Sequence, residues 1–195
     1  MMTELTDHEG YRLIKNEYSE CLLDYVILRS DGAYRGVESH KEAVVTAFKL
    51  LNGRKRISNH WTKGGFQVWV ERSKMEAIPI TGEELLFIPE DMRRYKTRRD
   101  AYKPGACWDW QTDTGRFCYG YAFLHPPYGV PYWLGDFERL NRFLFPEGEA
   151  LEVFYWNDTW SNYFEDGSDW WGTGCWSIYD RGAKTFVVIG ASLSD

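Results

Sequence analysis

Asp166 and Asp169 stand close to tryptophans, as do Asp109 and Asp113. Paired carboxylates can divide acid and base work in glycoside hydrolysis, and an indole face suits a sugar ring. Asp beside Trp is a common juxtaposition, so the pattern does not identify a glycosidase. Cys175, between Gly174 and Trp176, is a candidate nucleophile, with His60 or His125 as candidate bases. A cysteine needs a neighbouring base to reach the thiolate, and the spacing brings neither histidine near it. A small Cys opening an apolar run is expected in the core. The four cysteines contain no C-x-x-C and the four histidines no ligand spacing, so no metal site is expected. Gly172-Thr173-Gly174 lacks the G-K-[ST] of a phosphate loop and the dinucleotide fingerprint, so no cofactor is expected. No catalytic residue is assigned.

The stronger signal is the segment Phe154–Asp180, which holds Trp156, Trp160, Trp170, Trp171 and Trp176, half of the 10 tryptophans. Asp158, Glu165, Asp166 and Asp169 are interleaved with them, and no Lys or Arg follows until Arg181. An unpaired buried carboxylate is costly, so part of this stretch must stay wet. Trp176, alternating with Ile178, and Trp156 read as core. Trp160, Tyr163, Phe164, Trp170 and Trp171 lie among Asn, Asp, Ser and Gly, where full burial is harder. Trp160, Tyr163, Glu165, Asp166, Asp169, Trp170 and Trp171 are therefore the candidate partner-binding residues, aromatic anchors with an acidic rim.

Charge is consistent with that choice. The chain carries net charge −6, distributed unevenly. Residues 54–103 hold twelve Lys/Arg against seven Asp/Glu (+5), and residues 104–195 hold five against thirteen (−8). Two such faces either pack on each other or leave an acidic surface for a basic protein partner. Arg93, Arg94, Lys96, Arg98, Arg99 and Lys103, with Tyr95 and Tyr102, could grip phosphates. The acidic whole argues against a nucleic-acid binder and for a solvated helix face.

These residues must be positioned by elements that the pattern also suggests. Tyr11–Glu20 reads as a short helix and Cys21–Arg29 as a buried strand ending at Ser30-Asp31-Gly32. Lys41–Leu51 is the clearest helix, with Ser39 as its N-cap and Glu42 completing a capping box. Phe66–Arg72 and Glu84–Ile88 read as strands, and Glu90–Tyr102 as a helix with acids first and bases last. Phe117–Leu124 reads as a strand, Asp136–Leu144 as a helix and Leu151–Trp156 as a strand. Cys175–Asp180 and Thr185–Ala191 form a hairpin across Arg181-Gly182-Ala183-Lys184. The sum is an α+β fold, one domain over residues 1–195, with a mainly antiparallel sheet and two or three helices. No apolar run approaches a membrane span, and the polar, acidic start MMTELTDHEG carries no secretory signal, so a cytoplasmic protein with reduced thiols is expected.

The ending, with WNDTWSNYF, WWGTGCWSIYD and FVVIGAS, resembles the ending of uncharacterised small bacterial proteins over roughly the last fifth of the chain. That resemblance implies no catalytic role for any residue. Compact acidic proteins of this kind include immunity proteins that neutralise toxins by binding, which is an analogy of class. The expectation is a non-enzymatic cytosolic binding protein, of immunity-inhibitor type, with a small Asp/Glu hydrolase of sugar or nucleotide-like substrates as the alternative.

Overall fold

The computed structural model describes residues 1–52, 54, 67–90, 114–126, 132–146, 148, 151–165, 167 and 172–192. Six strands form one sheet: β1 (Met2–Glu4), β2 (Asp24–Ser30), β3 (Ala77–Ile80), β4 (Leu151–Trp156), β5 (Thr173–Asp180) and β6 (Thr185–Ser192). Their order is β1-β2-β6-β5-β4-β3, and every neighbouring pair is antiparallel. Among the described residues there are five α-helices: α1 (Glu9–Glu17), α2 (Val37–Leu51), α3 (Gly82–Leu85), α4 (Tyr119–Leu124) and α5 (Leu134–Leu144). The α+β class and antiparallel sheet are as expected, with more helices than the two or three read from the pattern. No helix among the described residues is long and apolar enough to cross a membrane.

The central strands are apolar on both faces because both faces are covered. Tyr25, Ile27, Trp176, Ile178, Val187 and Ile189 pack with Leu13 of α1, with α4, and with Phe137, Leu140 and Leu144 of α5. Val26, Leu28, Cys175, Phe186 and Val188 point the other way, toward Ala43, Val44, Ala47 and Phe48 of α2. Successive strand residues alternate between these two cores. All eight residues of β6 are buried, as a strand flanked by layers on each side should be. Asp180 turns the β5–β6 hairpin: its carboxylate accepts from the N–H groups of Gly182 and Ala183 at 2.9 and 3.0 Å, and Lys184 takes the left-handed conformation at φ 55°. Trp156, Trp176 and Cys175 are core residues, as expected.

Three expectations are corrected. Glu84–Ile88 is not a strand. Thr81 caps α3, its hydroxyl accepting from Glu84 N–H at 3.0 Å. The sequence Thr81-Gly82-Glu83-Glu84 carries the S/T-x-x-E signature of a helix start, and the apolar run beyond it obscured that signal. Phe117–Leu124 is not a strand either. Cys118 caps α4 through its sulfur, and all six helix residues are buried, so no periodicity could distinguish helix from strand. Among the described residues Cys21, Cys118 and Cys175 carry free thiols, the last two buried.

The third correction concerns Ser39. Helix α2 begins at Val37, with Gly36 as N-cap at φ 59°, a backbone conformation open to glycine. Ser39 sits inside the first turn, and its hydroxyl accepts from Arg35 N–H at 2.9 Å. The residue still pairs a free backbone N–H, from the third helical position instead of the cap. Ser39→Ala should therefore cost about 1 kcal/mol, with the helix boundary unmoved; denaturant titration with no change in stability would show that this bond contributes nothing. Of the expected Glu90–Tyr102 helix, all but Glu90 lies outside the described residues.

Candidate functional site

Beyond β4 the chain turns through a 3-10 helix, Asn162–Phe164, and lays its aromatic residues against α2. Phe48 of α2 meets the ring of Trp160 at 4.7 Å and that of Tyr163 at 4.9 Å. Trp160 and Phe164 pack edge to face at 5.0 Å. The Tyr163 hydroxyl donates to the Asp24 carboxylate at 2.8 Å. Gly190 makes room for it, since a Cβ there would lie 2.8 Å from the same hydroxyl. Trp160 is 0% exposed and Tyr163 and Phe164 are buried. The expectation that these rings resist burial is thus corrected: their polar neighbours bond outward to backbone, which frees the rings to fill the core. Glu165 is exposed. Asp166, Asp169, Trp170 and Trp171 lie outside the described residues.

Those polar neighbours carry a second segment. Asn162 accepts from Trp69 N–H at 3.0 Å and donates to the Gln67 carbonyl at 3.0 Å. Ser161 donates to the Trp69 carbonyl at 2.6 Å, and Glu71 N–H donates to the Trp160 carbonyl at 2.7 Å. On the other side Asn52, at the end of α2, donates to the Val68 carbonyl at 2.9 Å and accepts from Val68 N–H. Two side-chain amides, one hydroxyl and one backbone bond thus replace a sheet ladder, and the strand expected over Phe66–Arg72 is instead a strap pinned at residues 67–71. Its alternation is nonetheless real. Val68 and Val70 pack on the α2-side core, while Trp69 faces outward with 47% of its surface exposed. The period-2 pattern of FQVWVER already set Trp69 opposite Val68 and Val70, which was the signal available for it.

A separate polar chain crosses the α2–sheet interface. His40, 0% exposed, places Nδ1 2.8 Å from the Ser177 hydroxyl and Nε2 3.1 Å from the Tyr34 hydroxyl. Trp156 Nε1–H donates to Ser177 at 2.8 Å, and Tyr34 donates to Glu152, which also accepts from Arg181. The bonds assign the tautomer. Tyr34 spends its proton on Glu152, so it accepts from Nε2–H; Nδ1 is then bare and accepts from Ser177. Burial depresses the imidazole pKa to about 4, against smaller opposing effects of Glu152 and the Ser177 backbone. Burial alone would raise the Glu152 pKa, but the bonds from Tyr34 and Arg181 hold it below the ordinary carboxylate value. Ser177 and His40 resemble a nucleophile and its base, yet both are sealed from substrate. Their separation of 137 residues left no local signal in the sequence.

Cys175 is buried, and burial pushes its thiol pKa well up, away from the thiolate. Burial lowers the His125 pKa, and its ring stacks on Tyr121. His60, Asp109 and Asp113 lie outside the described residues. Among the described residues no group of three His, Cys, Asp or Glu is arranged to hold a metal ion. No protein-family model, curated protein or solved structure matches the chain.

Proposed function

We propose that this chain is a non-enzymatic, cytosolic binding protein that docks a basic protein partner, in the manner of an immunity-type inhibitor. Its contact face is acidic and aromatic: Trp69 as anchor, Glu165, Asp166 and Asp169 as charged rim, and Trp170 and Trp171 as further aromatic contacts. The observation that carries this reading is Trp69, a large ring left 47% exposed on a backbone pinned by neighbouring side chains. An exposed indole on a pinned backbone loses little backbone entropy on docking and offers a large apolar face, which suits it to a hot spot. Glu165 is exposed one turn from Asn162, the residue that holds the Trp69 backbone. The −8 charge of residues 104–195 favours approach by a basic surface.

Trp69→Ala should cost about 1 kcal/mol of stability, since about half of the ring is buried, and weaken partner binding by about 2 kcal/mol, mostly through faster dissociation. Charge reversal at Asp166 and Asp169 should instead slow association at low salt and matter less at high salt. The test is a pull-down with the wild-type chain, the product of the adjacent reading frame being the first bait, followed by rate measurements on these variants. Unchanged rates in folded Trp69→Ala and in the double reversal would rule out this face.

A further inference from the structure

We infer that α2 is an acid-sensitive lever joining the buried His40 chain to the Trp69 strap, so that acid loosens the proposed contact face; the inference rests on the reading of Trp69 as anchor. His40 lies in the first turns of α2. Phe48, which packs on Trp160 and Tyr163, lies two turns on. Asn52, at the C-cap, holds both backbone groups of Val68. From His40 to Asn52 the helix runs about 18 Å as one hydrogen-bonded body. A shift that lifts its start therefore disturbs the packing of Trp160 and the clamp on the strap.

The trigger is the direction of the hydrogen bonds. In the neutral chain each donor has one acceptor, from Trp156 through Ser177, His40 and Tyr34 to Glu152. A second proton on His40 puts Nδ1–H against the Ser177 hydroxyl, which already accepts from Trp156. Ser177 must then turn its own proton away within a buried site. The titratable and charged groups facing His40 are Tyr34 from the loop before α2, Glu152 from β4, Tyr179 from β5 and Arg181 from the hairpin turn. β4 and β6 otherwise present rings, Phe154 at 4.7 Å and Phe186 at 5.2 Å. Glu152 and the Ser177 backbone favour the imidazolium, but Arg181 pairs with Glu152 and the burial of the ring outweighs both. Once α2 lifts, water restores the ordinary basicity of His40. With a value of 6.5 open and about 4 closed, acidification from pH 7 to pH 5 should shift the balance toward the open form roughly 20-fold.

Amide hydrogen exchange on the intact chain tests this without any partner. After division by the intrinsic rate at each pH, exchange at Val68 and Trp69 should quicken roughly 20-fold between pH 7 and pH 5. His40→Gln offers the same acceptor and donor without titrating, and its exchange should stay flat. Acid-independent protection in the wild type, or equal loosening in His40→Gln, would overturn the lever. If His40→Gln fails to fold, nitrogen NMR of the wild-type imidazole decides. A bare Nδ1 in the closed protein at pH 5 supports the chain, and an imidazolium in that state refutes it. Because exchange needs no partner, failure here leaves the binding test on Trp69→Ala untouched, and failure there leaves the exchange result standing as a property of the fold.

Discussion

Trp160→Ala is expected to destabilise the protein by about 4 kcal/mol, in the middle of the range for core aromatic truncations. The ring is fully buried and meets Phe48 and Phe164 edge to face at 4.7 and 5.0 Å. Its Nε1–H donates to the Asn157 carbonyl, so truncation removes a hydrogen bond as well as opening a cavity under α2. The cavity cannot collapse easily, because Tyr163 is tied to Asp24 and the Trp160 backbone itself accepts from Glu71. Equilibrium urea unfolding, with an unchanged denaturant slope, measures the loss. A cost below about 1 kcal/mol would contradict full burial of the ring against Phe48 and Phe164. The contrast with Trp69→Ala matters for function. Loss of binding in a Trp160 variant reports loss of fold, whereas loss in a Trp69 variant reports the face.

Acid should weaken the fold as a whole through the same histidine. His40 titrates near 6.5 when unfolded and at about 4 when folded. Between those values the unfolded chain binds more protons, so stability falls as pH falls. The contribution of neutral His40 is complete above pH 6.5 and is lost progressively toward pH 4. At pH 4 the loss should reach about 3 kcal/mol relative to pH 7. His8 and His125 are also depressed, in both cases chiefly by burial, and add in the same direction. The discriminating measurement is therefore the difference in unfolding free energy between wild type and His40→Gln across this range. Parallel curves would show that His40 is not the group responsible.

Local patterns carried much of the fold. Two short apolar runs, Cys175–Asp180 and Thr185–Ala191, on either side of the turn residues Arg181-Gly182-Ala183-Lys184 marked the hairpin. The 3.6-residue spacing of Phe137, Leu140 and Leu144 located α5 for the analogous reason. The pattern over residues 119–124 did not distinguish helix from strand, because a segment buried all round has no polar side to mark its period.

The contact face divides along the same line. Composition and charge drew notice to the acidic aromatic stretch, and period-2 spacing put Trp69 on the outer side of its segment. Which rings end in the core was decided by tertiary structure alone. Trp160 and Tyr163 have polar neighbours in sequence, but Ser161 and Asn162 spend their hydrogen bonds on residues 67–69, more than ninety positions away. Likewise His40, Ser177, Tyr34 and Glu152 become one chain only when α2 docks on β4 and β5. A sequence determines periodicity and charge locally, whereas burial and hydrogen-bond partners depend on which distant surfaces meet.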